Sequence, residues 1–315
     1  MERKNIIITG SSGLLGDYLC RHFGAHNNVI GVYNRTENFI EGIRREKIDL
    51  LQQTTKLENL VREFKPDYFI NSAGLTSVDL CEQRPNEALE QNVQIVDHIV
   101  QALEESSAKL VHISTDHLFS GLESFYTEES SARPLNVYAE TKLESEKAAL
   151  KRQHSLVIRT NYYGGRSLNK ESFSSWIINQ MRENRRIHMF EDVYFTPISI
   201  HALAQNIENL MQSHLSGVYN VSGKQRLSKL EFAEIVAEVF DLPKELIQCS
   251  RIEGANLSAK RPLDMSLSTS KITKDLPDFI EEDVRKGLEV IKEKNAAKPV
   301  AVHTLNGTDI AAVKK

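Results

Sequence analysis

Residues 5–16, NIIITGSSGLLG, constrain the fold more than any other stretch of the chain. Three consecutive isoleucines form a short β-branched run that reads as a buried strand. The run ends in Thr9 and Gly10, and glycines recur at 13 and 16. Leu14 to Phe23 then carries the pattern of a helix. Gly10 permits a tight turn, Gly13 lets the backbone approach an anion, and Gly16 lets the helix pack against the strand. The helix start offers free N–H groups and the positive end of its dipole. A strand, this turn and a helix in succession predict a phosphate cradle.

The rest of the N-terminal half repeats that alternation. NVIGVY (28–33), KIDL (47–50), DYFINSAG (67–74), KLVHIST (109–115) and SLVIRT (155–160) read as further strands. Helical patterns fill 54–64, 85–105 and 137–152. Strands alternating with helices predict an α/β fold, a Rossmann-like doubly wound parallel sheet. Past residue 160 the alternation loosens. Residues 171–184 and 228–240 look helical, 195–211 looks like a loop entering a helix, and 217–223 looks like a strand. The expected organisation is a nucleotide-binding domain over 1–160, with a return segment near 190–212. A smaller, partly interleaved lobe spans 161–295, and 296–315 is a loosely docked tail.

A chain of 315 residues, 40% hydrophobic and 26% charged, suffices for a large core. Its net charge of −4 argues against a general nucleic-acid binder. No apolar run approaches the ~20 residues that span a bilayer. Cys20, Cys81 and Cys249 lie far apart and form no CxxC, so they read as buried thiols in a reducing compartment. A cytoplasmic protein with no membrane partner and no metal site is expected.

The second strand carries the next clue. A cradle for a dinucleotide with a free ribose usually has an acidic residue about 20 residues on, at this strand's end. Here the strand ends in Tyr33-Asn34-Arg35. A guanidinium suits a 2′-phosphate through charge-assisted hydrogen bonds. NADPH is therefore expected as cofactor, with NADH as the alternative. Tyr138 and Lys142 stand four apart in NVYAETKLESE and share one helix face. A nearby ammonium is expected to lower the tyrosine pKa from its usual value near 10. With nine tyrosines, roughly one Tyr-x-x-x-Lys arises by chance. The upstream cradle supplies the context.

Together, TGSSGLLG, NSAG (71–74), STD (114–116) and Tyr138-x-x-x-Lys142 resemble an extended short-chain dehydrogenase/reductase. The chain is more closely similar to the dTDP-4-dehydrorhamnose reductase branch. That likeness rests on TSVDLCE (76–82), HISTDHLFSG (112–121), PLNVYAETKLESE (134–146), IRTNYYG (158–164), FTPISIHALA (195–204) and AKRPLDMSLSTSKI (259–272). It covers roughly residues 5–290. The resemblance implies that Gly10, Gly13, Leu14, Leu15 and Gly16 hold the pyrophosphate. It puts Asn34 and Arg35 at the adenosine ribose, Asp49 and Leu50 beside the adenine, and Ala73, Gly74 and Leu75 along the cofactor. Thr115 and Asp116 would face the sugar. Tyr138 would donate the proton, and Lys142 would bind the nicotinamide ribose and tune Tyr138.

Two positions depart from the branch or stand apart. Its members usually carry a tryptophan after the sixth strand, where this chain has Tyr162 and Tyr163; Tyr162 can still stack on a sugar face. Trp176, the sole tryptophan, sits in a helical pattern and reads as core. Arg261, in RPLD, is a candidate for the substrate's diphosphate or for an ion pair between lobes. The implied activity is NADPH-dependent reduction of a nucleotide-linked 4-keto-6-deoxysugar, dTDP-4-dehydro-L-rhamnose first among them. The alternatives are a regulatory subunit resembling the methionine adenosyltransferase β-subunit, or a reductase or epimerase of UDP- or GDP-sugars. A homodimer stays open.

Overall fold

The isoleucine run does become the centre of the molecule: Ile6, Ile7 and Ile8 are at most 1% exposed. The computed structural model describes residues 2–165 and 171–297. The chain begins β1 (Asn5–Thr9), α1 (Leu14–Gly24), β2 (Asn28–Tyr33), β3 (Arg44–Lys47), α2 (Thr54–Phe64) and β4 (Tyr68–Asn71). Next come α3 (Val78–Gln83), α4 (Pro85–Leu89), a π-helical turn (Glu90–Gln94), α5 (Ile95–Ala102), β5 (Lys109–Ile113), α6 (Val137–Leu150) and β6 (Leu156–Arg159). The second half holds β7 (Tyr162–Tyr163), α7 (Phe173–Arg182), β8 (Ile187–Phe190), β9 (Tyr194–Phe195), β10 (Ile198–Ser199) and α8 (Ile200–Gln212). It continues with β11 (Gly217–Asn220), β12 (Leu227–Ser228), α9 (Lys229–Val239), β13 (Ile247–Ser250), α10 (Ser270–Asp275) and α11 (Val284–Ala297).

Seven strands form one parallel sheet in the order β11-β6-β5-β4-β1-β2-β3. This is the expected Rossmann-like doubly wound sheet. Its direction of winding reverses between β1 and β4, and such switch points open a crevice at the strands' C-terminal ends. One apolar layer sets α1 and α8 against Ile6, Ile8 and Ile70. The opposite layer sets α2, α5 and the end of α6 against Ile7, Phe69 and Val157. A separate core built on α7, α9 and α11 centres on Phe195 and Phe232.

Several expectations change. The third strand covers Arg44–Lys47 and not 47–50. It is the sheet edge, where charged residues face water and leave no apolar signal. The single helix expected over 85–105 is broken by the π turn. The strand expected in the second lobe, Gly217–Asn220, instead pairs with β6 and completes the main sheet. The chain thus returns to the first layer through Asn220, beyond 212. Trp176 packs against the second core, stacked on Phe173. Cys20 and Cys81 are buried, whereas Cys249 is exposed and donates to Glu191. Of the expected tail, 298–315 lies outside the described residues; 296–297 finish α11. Among the described residues no helix is long and apolar enough to cross a membrane.

Candidate active site

The C-terminal ends of β1, β2, β4, β5 and β6 open into one cleft of about 670 Å³. Its floor is the glycine turn. Gly10 has φ +67°, and a Cβ there would lie 2.8 Å from the Ala73 nitrogen. A Cβ on Gly16 would lie 2.2 Å from the Gly10 carbonyl oxygen. Helix α1 starts at Gly13 with no side-chain cap, so its first amides face the cleft unclaimed by a side chain. A glycine-rich backbone turn at a helix start without a side-chain cap fits a pyrophosphate. Gly10, Gly13, Leu14, Leu15 and Gly16 all line it.

Asn34 and Arg35 line the far end of the cleft. Among the described residues no carboxylate pairs with Arg35. Leu50 joins the wall beside Ile48, but Asp49 does not: its carboxylate accepts the Leu51 amide at 2.9 Å, ahead of α2. A residue overlooked in the sequence lies beneath this end. Arg45 on β3 sits 5.4 Å from the Tyr33 ring centre and donates to the Ser11 carbonyl. Ala73, Gly74 and Leu75 line the opposite wall. Buried Asn92, in the π turn, accepts from the Leu75 amide at 2.8 Å and donates back to the Leu75 carbonyl at 3.1 Å. That two-way clamp ties the wall to the π turn. In sequence Asn92 sits among Glu90, Gln91 and Gln94, so no local contrast marks it.

The reactive end gathers Thr115, Asp116, Tyr138, Lys142 and Tyr162 on the same cleft. Asn136 caps α6 by accepting the Ala139 amide, which puts Tyr138 in the first turn. Burial raises the Tyr138 pKa; a hydrogen bond with Thr115 lowers it and the nearby Asp116 raises it. The net direction is upward, the reverse of the expected lowering by Lys142. The cause is local: Lys142 donates to the Ile113 carbonyl at 2.7 Å, and the phenol is 8% exposed. Burial likewise lowers Lys142 to about 8, with Glu146 opposing.

Behind Lys142 a chain of buried groups has one consistent direction. Thr9 donates to Asn71 Oδ1 at 2.6 Å, and Asn71 Nδ2 lies 3.1 Å from His112 Nδ1. His112 Nε2 lies 2.9 Å from Ser145 Oγ, which donates to the Lys142 carbonyl. Since Asn71 Oδ1 already accepts, its amide must donate, which assigns the histidine proton to Nε2. Burial, then Lys142, holds His112 well below its usual pKa, so the ring is neutral.

Asp116 is 1% exposed and accepts from Asn161 at 2.7 Å. Burial raises its pKa to about 6, against the Asn161 hydrogen bond and the Lys229 charge. His117, also unremarked in the sequence, meets the Tyr138 ring edge-on with centres 5.7 Å apart. Its buried Nδ1 and the Thr160 hydroxyl have no hydrogen-bond partner among the described residues. Both residues line the cleft, where they are available to a ligand. Arg261 does not line the cleft. It pairs with Asp79 at 2.8 Å, joining the second lobe to α3.

The nucleotide-type sheet, the uncapped glycine turn and the Thr–Tyr–Lys group define an NAD(P)-dependent oxidoreductase of the short-chain dehydrogenase/reductase class. More closely, residues 4–294 match the family described as RmlD substrate binding domain, and the chain belongs to that family. It is 35% identical to the crystallised hypothetical dTDP-4-dehydrorhamnose reductase from Sulfolobus tokodaii. That alignment covers 90% of this chain and 98% of the other, with a TM-score of 0.78. It is 26% identical over 275 residues to the Haloferax volcanii protein named "Probable low-salt glycan biosynthesis reductase Agl14", covering 85% and 91% of the two chains. It is also 26% identical over 283 residues to methionine adenosyltransferase 2 subunit beta of Rattus norvegicus, covering 85% and 81%.

Proposed function

We propose that the protein reduces the 4-keto group of a nucleotide-linked 6-deoxysugar with NADPH, converting dTDP-4-dehydro-L-rhamnose to dTDP-L-rhamnose. The observation that carries this reading is the meeting of Thr115, Tyr138 and Lys142 at one end of a cleft whose other end is the uncapped glycine turn. The cofactor, when bound, supplies the hydride. Gly10, Gly13, Leu14, Leu15 and Gly16 would hold its pyrophosphate, Ala73, Gly74 and Leu75 would flank it, and Lys142 would hold the nicotinamide ribose. Arg35, with no carboxylate paired to it among the described residues, favours the 2′-phosphorylated form.

Reduction at a carbonyl carbon leaves negative charge on oxygen, and that oxygen needs a proton. Tyr138 donates it. Its raised pKa suits the role, because the phenol stays protonated at neutral pH and an alkoxide is far more basic. Thr115, whose hydroxyl shares this end of the cleft with Tyr138, stabilises the developing charge. Asp116 accepts from sugar hydroxyls, and Tyr162 offers its ring to the sugar's apolar face.

The test is NADPH oxidation with a panel of dTDP-, UDP- and GDP-4-keto sugars, wild type beside Tyr138→Phe. The expected result is turnover of the dTDP-sugar and a loss of about 10²–10⁴-fold in the variant. Equal turnover by the variant would remove Tyr138 from the role. A second reading, a regulatory subunit, is favoured by the likeness to methionine adenosyltransferase 2 subunit beta. Copurification with a synthetase, without keto-sugar turnover, would replace the first reading with it. An epimerase would hold NAD tightly, which Arg35 opposes.

A further inference from the structure

Helix α6 buries a polar stripe where an apolar one is usual. Tyr138, Lys142 and Glu146 recur at four-residue steps on one face, and the last two are 5% and 2% exposed. The Glu146 carboxylate accepts from Ser114 Oγ at 2.5 Å. It also accepts from Arg159 Nε at 3.0 Å and Arg159 Nη2 at 2.8 Å. Ser114 immediately precedes Thr115 and Asp116 at the end of β5, and Arg159 precedes Thr160, Asn161 and Tyr162 at the end of β6. One carboxylate therefore ties together the three segments that carry the reactive end. A buried ion pair is weak evidence of stabilisation, since apolar residues of similar size often serve as well. Its location calls for another reason.

We propose that Glu146 is a positioning residue for the active site: its carboxylate fastens α6 to the tips of β5 and β6 and places a negative charge one turn behind the Lys142 ammonium. The inference rests on the proposed role of Lys142 at the cofactor ribose. Lys142 donates to the Ile113 carbonyl, a neutral acceptor, so the charge that favours its protonated form comes from Glu146. Other elements packed on α6 bring other groups. From β5 comes His112, held neutral, and from β6 comes Arg159, already paired with Glu146. From α3 come Cys81, beside Tyr138, and Glu82, which accepts the Val137 amide. Glu87 of α4 lines the cleft wall, and Asp97 of α5 pairs with Lys151 beyond the far end of the helix.

The experiment is NADPH binding by fluorescence as a function of pH, with thermal unfolding and keto-sugar turnover measured alongside. Lys142→Met identifies the alkaline limb by abolishing it. Glu146→Gln should move that limb down by about one pH unit. The pair Glu146→Gln with Arg159→Met removes the carboxylate without leaving a lone buried guanidinium. It should fold and show the same shift even if the single variant does not fold. Glu146→Asp keeps the charge and should hold the limb near its wild-type position. A limb that stays in place in either folded charge-removed variant overturns the proposal and leaves Glu146 a purely structural contact. A shifted limb in a protein that turns over no keto sugar upholds the inference while rejecting the proposed reaction.

Discussion

Asn161, just past the end of β6, donates its side-chain amide to the Asp116 carboxylate, just past β5, at 2.7 Å. The bond bridges two neighbouring strand tips and holds a carboxylate that burial has pushed up to about 6. The Lys229 ammonium, 3.2 Å from the Phe195 ring centre, lowers the same carboxyl from the second lobe.

Asp116 and Lys142 therefore bracket the working range, with Lys229, lowered by burial to about 8, titrating beside Lys142. Below about pH 6 Asp116 gains a proton and loses an acceptor for sugar hydroxyls; above about pH 8 Lys142 loses its charge. The pH profile of kcat/KM should be a bell with limbs near those values. Lys229→Met removes the charge that lowers Asp116, so the acidic limb should move upward while the alkaline limb stays. A flat profile from pH 5 to 9 would contradict both assignments.

Gly16→Ala tests the cradle. The added methyl would meet the Gly10 carbonyl oxygen at 2.2 Å, and the atoms it meets are backbone, so the helix start must move. The expected cost is about 2–4 kcal/mol of stability together with loss of NADPH binding, read by thermal unfolding and fluorescence titration. Normal binding at normal stability would show that the turn tolerates a wider approach.

Arg35→Ala tests cofactor choice. Losing one charge-assisted contact to a 2′-phosphate is worth about 1.5–3 kcal/mol, or roughly ten- to a hundredfold in affinity. NADPH binding should weaken by that factor while NADH binding stays within about twofold. An equal loss for both cofactors would place the arginine elsewhere than at the phosphate.

Arg261 and Asp79 form a partly exposed ion pair between the second lobe and α3, with side chains 16% and 39% exposed. Either alanine variant should cost about 1 kcal/mol of stability. If Arg261 also reaches the substrate's diphosphate, its variant alone should raise KM, with kcat little changed. Matching kinetics in Arg261→Ala and Asp79→Ala would leave the ion pair as its whole role.

The positions legible in the sequence are those whose signal is local. The run Ile6–Ile8 and the glycines after it announced β1, its turn and α1, because burial on both faces and glycine's backbone freedom act within a dozen residues. The four-residue step from Tyr138 to Lys142 likewise announced a shared helix face. Strand β3 was misplaced because an edge strand of Arg44, Arg45, Glu46 and Lys47 has no apolar alternation to read. Asp49 lies outside the cleft lining because its Oδ1 turns to accept the Leu51 amide ahead of α2. Asn92 went unseen because its partner, Leu75, is seventeen residues away.

By itself the sequence determined the sheet-and-helix plan, the glycine turn between β1 and α1, and the spacing of Tyr138 and Lys142. Tertiary structure alone decided what those groups are chemically. Desolvation depends on everything packed around a side chain, so it reversed the expected direction of the Tyr138 pKa. The partners that complete the site, Asn161 for Asp116 and Arg159 for Glu146, lie 45 and 13 residues away in the chain and meet only when the strands pair and α6 packs on them.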